Sequence, residues 1–193
     1  MIKSIKKLTN FRWLNLFDIT YKNKDGNDAK WMMTSRKQDP TVGKDKPDAV
    51  VIIPILDDRM VLIKQYRPPL GDYIIEHPAG LIDKGETPLE AAARELKEEV
   101  GLDIIESFAS KKITYNSPGI TDESVVYVFA KTKGEPHTDG NESSEDIEVL
   151  VVDPFEAKEL LNSDVLFSAK CWLIVSFFAA GNSKYDDIIG TKK

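Results

Sequence analysis

The stretch "TPLEAAARELKEEVGL", Thr87 to Leu102, has few options other than a short helix, and as a helix it poses a problem. Thr87 and Glu90 form a capping box, with Pro88 at the first helical position, where its missing N–H costs nothing. Gly101 stands where a left-handed C-cap glycine belongs. The pattern predicts a helix over Pro88–Val100 with an apolar stripe of Leu89, Ala92, Ala93, Leu96 and Val100. At about 100° per residue, Glu95, Glu98 and Glu99 then fall within an arc of about 100° beside that stripe. Glu95 neighbours both of the others, and each like-charge pair costs a few tenths of a kcal/mol if left unpaired. Arg94 is the one nearby cation, and Lys97 points elsewhere. Either this is a solvated acidic face, or a bound divalent cation holds the carboxylates together, because hard cations favour clustered oxygens.

The residues before the helix decide between the two. Gly80 is followed after five residues by Glu86. Seven residues later come Arg94-Glu95-Leu96, then Glu98-Glu99 and Gly101-Leu102. Seven fixed residues at about 6% usage each match by chance on the order of 10⁻⁹ per start position. The pattern resembles the Nudix box at every defined position. Nudix proteins hydrolyse a nucleoside diphosphate linked to another group, and the resemblance implies their αβα sandwich with a mixed sheet. The residue types suit that chemistry. A pyrophosphate repels an incoming water, and divalent ions neutralise its charge and lower the pKa of bound water. Glu95 and Glu99 are the first metal-ligand candidates and Glu98 the next. The carbonyl of Ala79 is implied by the family. Mg²⁺ is the expected ion, with Mn²⁺ as the alternative. Glu86 is a candidate for a water-bridged role, and Arg94 is expected to orient a glutamate by ion pairing. Gly80 and Gly85 are read as bends near the metals, or as simple turn glycines.

The rest of the chain is consistent with an α/β protein. It has 193 residues and a net charge of -6, the size of one ordinary domain with a small appendage. The acidic balance argues against nucleic acid as a partner. The longest apolar run, from Cys171, is about half of what a bilayer span needs, so no membrane role is expected. A single cysteine rules out an intrachain disulfide and fits a cytoplasmic location; Cys171 itself reads as core. Arg12–Lys22 alternates, with Trp13, Phe17, Ile19 and Tyr21 on one parity, and "NKDGN" turns the chain into a returning strand at 29–36. The polar stretch 37–48 is the best boundary, giving a β subdomain over 1–45 and a hydrolase domain over 46–193. Strands are predicted at 49–56, 60–66, 73–76, 108–115, 124–131 and 147–152, and helices at 154–161 and 168–180. The tail after Ala180 is too short for a further domain.

The flanks of the box narrow the resemblance. "KQYRPPLGDYIIEHPAGLIDKGETP", from Lys64, and "NSPG", from Asn116, look like the ADP-ribose (ADP-sugar) pyrophosphatases. That resemblance implies Mg²⁺-dependent hydrolysis of ADP-ribose to AMP and ribose 5-phosphate. Trp13 and Trp31 match tryptophans that sandwich adenine. Arg36 and Arg67 match arginines facing the substrate, and Glu76 an acidic position near the metals. Glu145 corresponds to the mobile-loop glutamate that acts on the water, with Glu142 and Glu148 as rivals; Glu98 is a second catalytic candidate. Ile120 and Glu123 flank the proline-glycine loop as weaker contacts. Trp31 and Arg36 have opposite parity, so a continuous strand would face them apart. The family's homodimer, in which N-terminal hairpins exchange, removes that difficulty and is expected here. The alternatives are another nucleotide sugar or NADH as substrate, or a non-catalytic ADP-ribose sensor.

Overall fold

The computed structural model describes residues 1–43 and 45–181; the C-terminal "YDDIIGTKK" lies outside the described residues. Two compact units emerge. The first joins Met1–Ala49 to Lys112–Val125, and the second takes Val50–Lys111 and the chain from Val126 onward.

The first unit is a three-stranded antiparallel sheet of β1 (Ile2–Lys7), β2 (Asn15–Lys22) and β3 (Asp28–Ser35), in that order. The hairpin β2–β3 pairs without a bulge from Asn15↔Ser35 to Lys22↔Asp28. Phe17 is its buried anchor. Buried Asn15 pins the preceding loop, accepting from the Phe11 amide at 2.8 Å and donating to the Phe11 carbonyl at 2.9 Å. Trp13 therefore lies ahead of the strand, and its expected place in the β2 alternation does not hold. The free edge of β3 is covered by the loop after β9 (Thr114–Tyr115): the Thr34 amide donates to Ile120 O at 2.8 Å, with a parallel bridge from Thr34 to Thr121.

The second unit is built on a mixed sheet. β4 (Ala49–Leu56) and β5 (Arg59–Arg67) are joined by a tight turn with Asp57 and Asp58 both at positive φ, the geometry that matches the twist of a hairpin. The path runs β12 (Leu166–Phe167), β6 (Asp72–Glu76), β5, β4, β10 (Ser124–Lys133), β8 (Asp103–Ala109). The β12–β6 pair is parallel. The β4–β5 ladder holds Ile55↔Met60 and Leu56↔Arg59. From Ile63 onward β5 pairs with β6 instead, while β11 (Ile147–Val152) takes its other edge. The opening lets β7 (Ala79–Leu81) pair with β4, and the Ile52 amide donates to Pro78 O at 2.8 Å.

Both faces of this sheet are covered, which is why β4 and β5 read as nearly continuous apolar runs. On one face Ile53, Ile55, Met60, Leu62 and Ile75 pack with Ala157 of α2 (Pro154–Leu161) and with Cys171, Val175 and Phe178 of α3 (Ala169–Ala179). Residues of the other parity, Val50, Ile52, Val61 and Ile63, are equally buried. α1 (Pro88–Val100) packs on β7 and β8. This is the expected αβα sandwich with a mixed sheet, accompanied by the N-terminal β sheet. No helix among the described residues is long and apolar enough to cross a membrane.

Three further readings change. β1 was not foreseen. The strand expected at 108–115 is two, β8 and β9, because Ser110 bonds to Tyr127 through both its amide and its hydroxyl. And α1 buries Ala91, Ala92, Leu96, Glu99 and Val100, leaving Leu89 and Ala93 exposed. The buried face is thus turned toward the glutamates, with Glu99 near its middle.

Candidate active site

Helix α1 forms as its sequence dictates. The Thr87–Glu90 capping box is closed and Gly101 adopts the left-handed conformation. Its carboxylates converge on Arg94. The guanidinium grips Glu86 with two bonds of 2.9 Å, reaches Glu95 at 2.8 Å and Glu98 at 3.2 Å, and donates to Leu81 O at 3.0 Å. One cation therefore faces three carboxylates, which relieves part of the repulsion within the helix. Its hydrogen bonds to Glu86 hold that carboxyl down at about 2, so Glu86 is engaged with Arg94.

Glu99 is different. It is 4% exposed, and one oxygen accepts from the Ala79 amide at 3.1 Å. Burial pushes its carboxyl up to about 8 against that hydrogen bond, and the charges of Glu95 and Glu145 push the same way. Glu95 is raised too, first by burial, despite its bond to Arg94. Gly80 explains how Glu95 fits: a Cβ there would lie 1.9 Å from its carboxylate. Gly80 is thus a close-approach glycine rather than a bend, while Gly85, at φ 99°, is a true turn glycine. No three acidic, histidine or cysteine side chains among the described residues already form a ready coordination group. What is present is an oxygen-only donor set whose negative charge is disfavoured by burial and by its own members, a combination a hard cation relieves.

Arg67 donates from Nε to Glu76 at 2.6 Å, so these two stand as a pair, and Arg67's charge also reaches Glu99. Of the three loop glutamates, Glu145 is the one whose charge acts on both Glu95 and Glu99. Glu148 lies on β11 beside Lys64 at 3.5 Å. The Glu142 amide donates to Glu145 Oε2 at 3.0 Å.

In the first unit, Trp31 donates from its indole N–H to Gly119 O at 2.9 Å and Arg36 pairs with Glu123 at 2.9 Å. Both are drawn to the same loop. The strand ends at Ser35, so the alternation does not extend to Arg36 and the opposite facing expected of a continuous strand does not apply. Ile120 engages Thr34 through its carbonyl, and its side chain is exposed. A cavity of about 280 Å³ opens beside Trp31, lined also by Ile19, Met33, Tyr115, Pro118 and Asp122. Trp13 is not among its lining residues; it is exposed, with the Arg12 guanidinium 4.3 Å over its ring. The aromatic and proline walls of this cavity were not foreseen, since a tyrosine before a turn carries no signal of its own.

A model of the NUDIX domain matches residues 45–171. The chain belongs to the NUDIX family. It is 36% identical over 132 residues to the ADP-ribose pyrophosphatase of Bacillus subtilis (strain 168), covering 64% of this chain and 68% of that protein. To the ADP compounds hydrolase NudE of Escherichia coli (strain K12) it is 33% identical over 135 residues, 65% of this chain and 72% of the relative. A crystal structure of an ADP compounds hydrolase superposes with a TM-score of 0.69 at 22% identity, covering 92% of this chain and 91% of the other, a likeness of fold. The α1 carboxylates, Arg94 and Gly80 all fall inside the matched Nudix segment.

Proposed function

We propose that this Nudix protein hydrolyses the pyrophosphate of ADP-ribose, giving AMP and ribose 5-phosphate, with Mg²⁺ as cofactor. The observation that carries the reading is the pair of part-buried Glu95, against Gly80, and buried Glu99, against Ala79, a donor set that is electrostatically incomplete by itself. Glu95, Glu99 and the more exposed Glu98 would hold the cation with the carbonyl of Ala79; Mn²⁺ would fit the same oxygens. When bound, the ion supplies neutralisation of the diphosphate charge and a more acidic water. Arg94 keeps Glu95 and Glu98 oriented. Glu145 is the residue assigned to the attacking water, because its carboxylate charge reaches the same two glutamates. Arg67, beside Glu76, presents a guanidinium suited to a phosphate oxygen.

The names of the relatives support an ADP-linked substrate. Trp31 and its cavity suit a purine, which gains stacking and apolar burial there. Trp13 is exposed and does not line that cavity, which supports a homodimer in which a second copy's Trp13 closes it.

The test is a product assay with Mg²⁺ and ADP-ribose, ADP-glucose, NADH and a nucleoside triphosphate in parallel. AMP and ribose 5-phosphate are expected fastest from ADP-ribose and absent with a Glu98→Gln, Glu99→Gln double variant. Tight ADP-ribose binding without turnover of any substrate would overturn the reading.

A further inference from the structure

The C-terminus of α1 leaves four carbonyls without partners in the helix, and the structure accounts for each. Lys97 O accepts from the Gly101 amide at 3.1 Å. Val100 O accepts from the His137 amide at 3.0 Å. The remaining two, Glu98 O and Glu99 O, face one end of the Asn141 side-chain amide at 3.0 and 3.1 Å; two acceptors require a donor between them, so that end is assigned as its nitrogen. An amide carries two N–H donors, so a single asparagine can serve both. Gly140 makes the approach possible: a Cβ there would lie 2.7 Å from Glu98 O. The segment from His137 to Asn141 is therefore seated on the turn of α1 that bears Glu98 and Glu99.

The same segment leads directly to Glu145. The Asn141 amide donates to Thr138 O at 3.1 Å, closing a turn. One residue on, Glu142 and Glu145 close a reciprocal pair, Glu145 N to Glu142 O at 2.9 Å and Glu142 N to Glu145 Oε2 at 3.0 Å. Beyond it, the Tyr66 amide donates to Asp146 O at 3.1 Å. Glu145 thus hangs between two fixed points, Asn141 on α1 and Asp146 on β5.

We propose that Asn141 is a positioning residue for hydrolysis: its side-chain nitrogen, bonded to Glu98 O and Glu99 O, holds the loop so that the Glu145 carboxylate stays in register with the Glu95 and Glu99 carboxylates. The inference rests on the pyrophosphatase reading above and adds to it the residue that couples loop to helix. Asn141 touches no substrate. It acts through Glu145, and its removal lowers kcat rather than binding.

A double-variant cycle tests it, using Asn141→Asp, Glu145→Gln and the combination, with ADP-ribose and Mg²⁺. Aspartate keeps the shape but replaces both donors with an acceptor. Asn141→Asp is expected to lower kcat about 10- to 100-fold, with KM for ADP-ribose and the half-saturating Mg²⁺ concentration little changed. On the Glu145→Gln background it should add no more than about twofold, since groups acting as one unit are not additive. Asn141→Ala, which removes the donors without adding charge, repeats the cycle if the aspartate variant unfolds. Equal losses in both backgrounds would overturn the proposal, as would full activity of Asn141→Asp and Asn141→Ala, or of Glu145→Gln. A wild-type protein inert toward every ADP-linked substrate would remove the underlying reading as well, a result distinct from any of these.

Discussion

The two helical layers on the central sheet bury different chemistry. Under α2 and α3 the contacts are apolar: Cys171, Val175 and Phe178 are fully buried against Ile53, Met60, Leu62 and Ile75. Under α1 the most buried face includes a carboxylate, Glu99, and is flanked by Glu95 and Arg94. The difference shows how a sandwich divides its tasks. One face stabilises the sheet through transfer of apolar area from water. The other gives up part of that stabilisation to bury a carboxyl group whose charge burial disfavours.

The largest effects should separate these roles. Phe178→Ala should cost about 3–5 kcal/mol of stability in urea unfolding, while kcat/KM at 25 °C stays near wild type. Glu99→Gln should do the reverse, lowering kcat/KM by at least about 10²-fold without destabilising the metal-free protein. The sign follows from linkage. The folded carboxyl, at about 8, lies above its ordinary 4.5, so the folded state holds the proton more tightly. Metal-free stability therefore falls as pH rises from 4.5 to 8, and urea midpoints across that range should lose this limb in Glu99→Gln. If both variants lost stability alike, the contrast between the two faces would fail.

Gly80→Ala sharpens the contrast further. The three atoms nearest the added Cβ all belong to the end of the Glu95 side chain, which can swing aside, so the melting temperature should hardly move. Displacing that carboxylate should still lower kcat/KM by roughly 10-fold or more.

The α3 side carries its own titratable group. His77 is fully buried with neither ring nitrogen partnered, and burial followed by the charge of Lys170 lowers it to about 3. The unfolded state takes up a proton near 6.5 that the folded state refuses, so stability falls as pH drops through 6.5 toward 3. His77→Phe should flatten this acid limb in melting curves from pH 7 to 4. The smallest effect is expected at Leu89, where Ala should change stability by no more than about 0.5 kcal/mol, because the residue is exposed.

Leu89 also shows where sequence reasoning stops. Apolar periodicity located α1, its caps and its ends, but it assumes that only apolar residues define the inner face. A buried carboxylate, Glu99, shifts that face, and no hydropathy pattern can register it. β1 escaped for the opposite reason: "IKSIKK" is an exposed strand paired along one edge, so it lacks the alternation a half-buried strand displays. The box residues were legible because their chemistry demands fixed types at fixed spacing. Asn141 was not, since one amide meeting two carbonyls about 40 residues earlier leaves no local trace. Trp31 and Arg36, expected to face apart on a continuous strand, both bond to the loop 119–123; the strand's end at Ser35 could not be seen from the alternation alone.

The N-terminal unit is assembled from two stretches of chain, Met1–Ala49 and Lys112–Val125. Trp31, Thr34 and Arg36 each find their partner in the second stretch. Such a unit cannot be inherited by itself through a single crossover, since residues 50–111 would have to travel with it. A recombination that exchanged only the first fifty or so residues would bring a hairpin whose edge partner stayed behind, with the Thr34 amide facing a foreign loop. Changes at this edge should therefore arise by paired substitution across both stretches, leaving correlated positions rather than a movable module.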